Sequence, residues 1–304
     1  MEGDCVSSKP PEPSAEPVGP SAEYATFTSA AYGASNDGAA TRATVEWLET
    51  QSLMPFIREV AERSLARLAI ESRESVLDVG CGTGVFLPRL GALTGAEGRV
   101  VGLDHAPQLL AEARARLVAA GLADRIELIE GDALRLPFGD ATFDAAHCER
   151  LLMHLDDPAV AIREMLRVVR PGGRAVVAEV FAAGATMEHP DLETHHEITV
   201  AMMSGIHNVQ MGIQLRRLLI ESGFVDVDGE VVGYFESALD QDEAEEYAKV
   251  ARELAARGRL DPVRAEAAVE AIEERRAKGT YCGLATIFVV SGRVPDRPEA
   301  QPGA

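Results

Sequence analysis

A run of nine residues, VLDVGCGTG at positions 76–84, constrains this chain more than any other part of its sequence. Its short apolar segment is typical of a strand buried on both faces of a parallel sheet. Glycines at alternate positions then let the backbone approach a ligand closely, and the turn offers unpaired N–H groups at the start of a helix. The run predicts a polar ligand against Gly80, Gly82 and Gly84, although a purely structural bend or a dinucleotide site has a related pattern.

Composition narrows the kind of ligand and the setting. The 304 residues are 46% hydrophobic and carry a net charge of −20, which suits one large α/β domain and opposes a nucleic-acid partner. A neutral or cationic small molecule fits this charge better. The four cysteines lie far apart without a C-x-x-C pair, and no apolar stretch is long enough for a membrane helix. We expect a cytoplasmic protein without membrane insertion, and the sequence leaves homo-oligomer formation open.

Short apolar segments alternate with amphipathic segments along the middle of the chain. The apolar segments end near residues 104, 132, 149 and 180, and this alternation predicts parallel strands with helices on both faces and ligands at the carboxyl ends of the strands. We therefore predict an α/β fold with a Rossmann-like sheet of seven mostly parallel strands. An N-terminal helical lid and a helical insertion between the last two strands complete the predicted fold.

The predicted domain boundaries follow changes in composition. Residues 1–22, rich in Pro, Ser and Glu, and residues 293–304 are expected to be disordered tails. The interleaved acids and bases near the end of the chain indicate two helices with a solvated face. The lid with its helices is assigned to residues 23–70, and the main domain is assigned to residues 71–292. Within the main domain, residues 181–209 form the segment that interrupts the alternation, and residues 240–278 form the helical insertion.

Acidic residues follow the second and third predicted strands. Asp104 stands where a carboxylate can accept the hydroxyls of a ribose bound over the glycine turn, which also suits NAD. Asp132 stands where a carboxylate can accept the exocyclic amine of an adenine. Five motifs occur in one order along the chain: VLDVGCGTG, GLD, GDALRLPF, FDAAHCERLLMHLDDP and LRVVRPGG. On these motifs the chain resembles the class I S-adenosylmethionine-dependent methyltransferases over about residues 50 to 235. It is most similar to the small-molecule branch, which includes quinone-biosynthesis and natural-product enzymes.

The resemblance implies a role for each part of the cofactor site. The glycines would cradle the methionine moiety of S-adenosylmethionine, and Asp78 with the backbone at His147 would hold its amine. Asp104 would bind the ribose, and Asp132 with the Ala133 amide would bind the adenine. The full set of implied cofactor residues is Asp78, Gly80, Cys81, Gly82, Gly84, Asp104, His105, Asp132, Ala133 and His147.

The methyl group would project beyond the strand ends in such a fold, toward residues 181–209. Four of the seven histidines lie in this segment, and histidine is the usual general base near neutral pH. His195 or His196 is therefore a candidate to take a proton from a phenol, enol or activated carbon, and Glu179 is a third candidate; surface or packing roles are the alternatives. The lid residues expected to close over cofactor and acceptor are Tyr24, Phe27 and Tyr32.

The expected activity is methyl transfer from S-adenosylmethionine to an oxygen or carbon of a hydrophobic small molecule, such as a secondary metabolite. Two alternatives stay open: an N-methyltransferase of a small amine, and a non-catalytic scaffold that binds S-adenosylmethionine. No metal site is expected, because His195 and Glu197 do not share one face of a helix.

Overall fold

The structure is a computed structural model that describes residues 38–203 and 206–296. An open sheet of eight strands runs through these residues. The strands are β1 (Ser75–Val79), β2 (Arg99–Asp104), β3 (Ile126–Glu130), β4 (Phe143–Glu149), β5 (Val169–Val180), β6 (Thr186–Met187), β7 (Val225–Glu236) and β8 (Gly283–Arg293). The strand order is β3-β2-β1-β4-β5-β8-β6, and β7 pairs with the other edge of β8.

Helices connect the strands and cover both faces of the sheet, as predicted. The helices of the described ranges are α1 (Gly38–Leu53), α2 (Pro55–Leu68), α3 (Leu87–Thr94), α4 (Pro107–Ala119), α5 (Pro158–Val168), α6 (Leu192–Met202), α7 (Met211–Ser222), α8 (Gln241–Ala256) and α9 (Pro262–Lys278). One core packs α5 and α7 against the sheet, and a second core packs α2, α3 and α4 against its other face. No described helix is long and apolar enough to cross a lipid bilayer.

The sheet is Rossmann-like, and its first five strands are parallel neighbours in the order 3-2-1-4-5. The middle strand β1 is buried from Val76 to Val79, which agrees with a strand covered on both faces. The sheet has eight strands rather than the predicted seven. The extra strand is β6, which pairs with Leu284 and Gly283 beyond the end of β5. A two-residue strand has no periodic pattern to detect, and it forms because β8 extends beyond the end of β5.

The helical insertion at the predicted residues 240–278 consists of α8 and α9, and it packs on α6. These helices share a third core, which includes Ile198, Tyr247 and Ile272. Their outer faces carry exposed ion pairs such as Arg252 with Glu266, which fits the expected solvated face.

The terminal segments fall partly outside the described residues. The tail predicted at 1–22 and the lid residues Tyr24, Phe27 and Tyr32 all lie outside them, so their expected roles are untested. At the other end, β8 includes Arg293, and Val294 is buried. Ordered structure therefore continues past the predicted start of the tail at residue 293.

Candidate active site

The glycine turn after β1 uses its three glycines in different ways. Gly80, Gly82 and Gly84 have φ values of 73°, 54° and 71°, which residues with a Cβ rarely adopt. A Cβ on Gly80 would lie 2.9 Å from Leu151, and one on Gly84 would lie 2.9 Å from Ala113. A Cβ on Gly82 would meet no described atom within 4 Å. The outer glycines therefore serve protein packing, while Gly82 leaves open space beside the backbone.

Asp104 ends β2 and holds this turn. Its carboxylate is only 5% exposed; Oδ2 accepts the Gly82 N–H at 2.8 Å, and Oδ1 accepts the Ala106 N–H at 2.9 Å. Burial raises the pKa of Asp104, although the two amides partly offset this rise. Nδ1 of His105 lies 3.5 Å from Oδ1. Each oxygen has a second lone pair, so Asp104 can still accept a ligand hydroxyl.

Asp78 and His147 form a buried pair between β1 and β4. Oδ1 of Asp78 lies 2.8 Å from Nδ1 of His147, and both residues are at most 3% exposed. The Phe86 ring stacks on the imidazole with a centroid distance of 4.1 Å. The sequence interpretation used only the backbone of His147, whereas its side chain is the partner of Asp78. The parallel register, which sets Asp78 beside His147, is the signal that would have found the pair.

A cavity of about 750 Å³ lies over the turn and extends to the ends of β7 and β8, a size typical of small-molecule sites. Helices α1 and α2 form one wall. Arg116 links α1 to the turn, because it pairs with Glu49 and donates to the Thr83 carbonyl at 3.0 Å. The predicted cofactor residues that line the cavity are Asp78, Gly80, Cys81, Gly82, Asp104, His105 and His147.

Three predicted cofactor residues lie outside the cavity lining. Gly84 packs on Ala113, as described above, and Ala133 is buried in the core. Asp132 is exposed, and its carboxylate accepts the Leu134 N–H at 2.8 Å. Such a local side-chain-to-backbone turn is common for Asp after a strand. The adenine contacts assigned to Asp132 and Ala133 are therefore not formed by the walls of this cavity.

His195 and His196 also lie away from the cavity, contrary to the expectation that one of them contacts the acceptor. His195 is 2% exposed; its Nε2 accepts the Met187 N–H at 3.3 Å, and its Nδ1 lies 3.3 Å from the Tyr247 hydroxyl. Burial lowers the pKa of His195 to about 4. His196 is exposed on α6. The packing of α6 on the insertion buries His195 in the third core, which gives it a structural role.

We expect replacement of His195 by Gln to flatten the dependence of stability on pH. The folded-state pKa lies below the ordinary value of 6.5, so the stability from neutral His195 is fully present above pH 6.5 and is lost as pH falls toward 4. A shift of this size corresponds to at most about 3 kcal/mol. Urea denaturation of both proteins at several pH values measures this change. An unchanged slope between pH 6.5 and 4 would contradict the assignment.

Glu179 holds a turn rather than facing the acceptor. It is fully buried and does not line the cavity, and its Oε1 accepts the N–H groups of Leu151 and Leu152. Burial raises the pKa of Glu179 to about 8. Strand alternation explains the difference, because Glu179 shares the sheet face of Val177 in the first core.

His154 lines the cavity together with His105 and His147, and the sequence interpretation had not assigned it a chemical role. It ends the short 3₁₀ turn Leu152–His154 that Glu179 holds. Burial, helped by the charges of His207 and Arg150, lowers its pKa to about 4, so its imidazole is neutral near pH 7. Its place in FDAAHCERLLMHLDDP, directly after the fourth strand, was the available signal. Other polar lining residues without a predicted chemical role include Glu149, Arg150, Tyr234, Glu236 and Glu243.

The described residues offer no cluster of three or more His, Cys, Asp or Glu side chains suited to a metal ion. Cys81, Cys148 and Cys282 are free thiols, and burial raises the pKa of Cys81 and Cys148 well above the ordinary value. Two of these three cysteines are thus buried thiols of low reactivity.

Comparison with known proteins identifies a methyltransferase domain in this chain. A family model described as a methyltransferase domain matches residues 77–177. The O-methyltransferase resE of Aspergillus sclerotiorum is 32% identical over 160 residues, which cover 52% of this chain and 58% of that protein. A demethylmenaquinone methyltransferase of Lactiplantibacillus plantarum is 37% identical over 122 residues, which cover 40% of this chain and 52% of that protein. The chain spans about half the length of the first curated relatives it matches.

Among solved structures, the [4+2]-cyclase SpnF has 26% sequence identity and a TM-score of 0.51, covering 79% of this chain and 81% of that chain. The site also fits the cofactor that the resemblance implied. Gly82 leaves room for a ligand, Asp104 provides lone pairs for hydroxyls, and the buried acids Asp78 and Asp104 match a cationic molecule. Over residues 77–177 the chain therefore carries a methyltransferase domain of the class I S-adenosylmethionine-dependent type.

Proposed function

We propose that this protein transfers a methyl group from S-adenosylmethionine to an oxygen or carbon of a hydrophobic small molecule of secondary metabolism. The observation that carries this proposal is the continuity of one cavity from the glycine turn to a compartment walled by apolar side chains. The relative named as an O-methyltransferase supports an oxygen acceptor, and the relative named as a demethylmenaquinone methyltransferase supports a quinone-like acceptor.

The far compartment of the cavity favours a flat apolar acceptor. Phe56 of α2 and Tyr234 of β7 stack with a centroid distance of 5.2 Å, and both line it. Met153, Met203 and Ile206 also line the cavity, and methionine adapts to irregular ligands. An aromatic or polyketide-like molecule matches these surfaces in shape and polarity.

The cofactor supplies a methyl group on a positively charged sulfur, and the residues of this chain position it and exclude water. Asp104 would hold the adenosine half beside the turn, and α1, which Arg116 ties to the turn, forms a wall of the cavity. Alignment of the two reactants and exclusion of water provide much of the rate gain in such a displacement. For an oxygen acceptor, the neutral His154 imidazole takes the hydroxyl proton.

Replacement of His154 by Ala is expected to lower kcat for a phenolic acceptor roughly 10-fold, because general bases with a pKa near the operating pH contribute 10²–10⁴-fold and a weaker base with a pKa of about 4 contributes less. The pKa of about 4 keeps the wild-type base unprotonated, so we expect a rate that is flat above pH 5 and falls as pH approaches 4. Steady-state rates over this pH range test both statements. His196→Ala is the matched control, because His196 is exposed outside the cavity; equal losses in both variants would contradict the role of His154.

The test of the proposed function uses S-adenosylmethionine with a deuterated methyl group and a panel of phenols, quinols, enols and amines. We expect a phenol, quinol or enol to gain the labelled methyl group in a one-to-one ratio with S-adenosylhomocysteine. Mass spectrometry measures both products. If no member of these three classes gains the label while the cofactor binds, the proposal is wrong.

Two other outcomes have specific support. Similarity to the [4+2]-cyclase SpnF supports a [4+2] cyclisation of the substrate, and this activity would give an isomer without S-adenosylhomocysteine. The acids Glu149, Glu236 and Glu243 in the cavity lining support an amine acceptor, which would gain the label on nitrogen. A protein that binds the cofactor without any turnover would be the scaffold considered from the sequence.

A further inference from the structure

His147 has one polar atom that the described residues leave without a partner. The side chain is 1% exposed and lies in the cavity lining, and its buried Nε2 has no hydrogen-bond partner within 38–203 and 206–296. A buried polar atom without a partner costs free energy, and native proteins rarely keep one. The cavity beside His147 provides the space from which a ligand can reach it.

The neighbours of His147 determine the kind of partner that Nε2 requires. The Asp78 carboxylate accepts a hydrogen bond from Nδ1–H at 2.8 Å, and this tautomer leaves a lone pair on Nε2. The Phe86 ring, nearly parallel to the imidazole at an angle of 15°, fixes the ring plane. The pair therefore carries the negative charge of Asp78 and presents a hydrogen-bond acceptor, so its complement is a cationic donor.

Strand order places this acceptor opposite Asp104. The turn that follows β1 lies between β2, which ends in Asp104, and β4, which carries His147. A ligand that crosses the turn therefore has one end near each residue. Asp104 already accepts two amides and suits neutral hydroxyls, whereas the Asp78–His147 pair suits a cation.

We propose that Nε2 of His147 accepts a hydrogen bond from the ammonium group of S-adenosylmethionine, and that Asp78 positions the imidazole for this contact. The inference rests on the proposed use of this cofactor. The ammonium is the only cationic hydrogen-bond donor in the molecule, because the sulfonium has no N–H or O–H and the carboxylate is an acceptor. Asp78 thus acts on the cofactor through His147 and does not bind the amine directly.

The test is calorimetric titration of the full chain with three ligands that differ at the methionine end. S-adenosylmethionine has both ammonium and carboxylate, its decarboxylated form keeps the ammonium, and 5′-methylthioadenosine has neither. His147→Phe keeps the stack on Phe86 and removes Nε2, and Asp78→Asn removes the charge that selects the tautomer. Asp104→Ala is the control, because it should weaken all three ligands through the adenosine half.

We expect His147→Phe to weaken the two ammonium ligands about 10- to 100-fold, since hydrogen bonds to charged groups contribute about 1.5–3 kcal/mol. Binding of 5′-methylthioadenosine should stay within about twofold, and Asp78→Asn should reproduce this selectivity. Unchanged affinity for all ligands, or an equal loss for 5′-methylthioadenosine, would overturn the inference. A loss confined to the ligand with a carboxylate would overturn it too. Failure of the unaltered protein to bind any of the three would instead refute the proposed function.

Discussion

Replacement of Asp104 by Ala is expected to weaken the binding of S-adenosylmethionine roughly 100-fold, a loss of about 3 kcal/mol, which corresponds to two or three hydrogen bonds. The carboxylate both fixes the turn, through the Gly82 N–H, and offers its remaining lone pairs to the ribose. Its removal therefore frees the turn and deletes the ligand contact together. Equilibrium dialysis with labelled S-adenosylmethionine measures the loss.

Asp132→Ala is the matched control for Asp104. Both acids follow neighbouring strands and both were assigned to the cofactor from the sequence, but Asp132 is exposed and caps a local turn away from the cavity. Its replacement should leave binding within about twofold, because Asp132 does not line the cavity and an exposed polar side chain of this kind contributes little. If Asp132→Ala lowers affinity as much as Asp104→Ala, the cofactor contacts Asp132 and its binding site extends beyond the cavity.

Gly82 and Gly84 are expected to lose different amounts of stability when each is replaced by Ala. At Gly84 the new Cβ would lie 2.9 Å from Cβ of Ala113 and 3.2 Å from its Cα, at a φ of 71°. Steric overlap and backbone strain together should lower the free energy of unfolding by about 2–4 kcal/mol. At Gly82 the space is open, so only the strain of about 1–2 kcal/mol applies.

Cofactor affinity should show the reverse order for these two variants. The Cβ at Gly82 would enter the space beside the turn that we assign to the ligand, so we expect Gly82→Ala to lose detectable binding while it remains folded. Gly84→Ala should keep measurable binding in its folded fraction. Urea denaturation and equilibrium dialysis on both variants separate the two effects. Normal binding by Gly82→Ala would mean that the open space is not used by the cofactor.

The parts of this site that lie close together in sequence were predictable. The strand, the glycine turn and Asp104 follow from local composition and from the alternation of strands and helices, because parallel strands bring their ends to one edge. The predicted Rossmann-like fold, helical insertion and family are confirmed. Even within the turn, only the structure separates Gly82, which faces open space, from Gly84, which packs on Ala113.

The positions of the residues predicted to lie beside the acceptor depend on tertiary contacts, which sequence patterns do not contain. His195 belongs to a segment with four histidines, but the packing of α6 against α8 directs it to Tyr247. Glu179 ends its strand as predicted, yet strand alternation directs its side chain away from the cavity. The pairing of His147 with Asp78 requires the register between β1 and β4, which local periodicity does not determine. His154 was visible in a motif, but only its burial beside the cavity indicates a chemical role.

Calorimetric titration of the unaltered protein with S-adenosylmethionine and, separately, with NAD tests the central claim most directly. Both cofactors suit a glycine turn followed by an acid at the end of the second strand, so composition of the turn does not decide between them. We predict saturable binding of one S-adenosylmethionine per chain and no heat from NAD. Binding of NAD, or of neither molecule, would contradict the assignment of this cavity to methyl transfer.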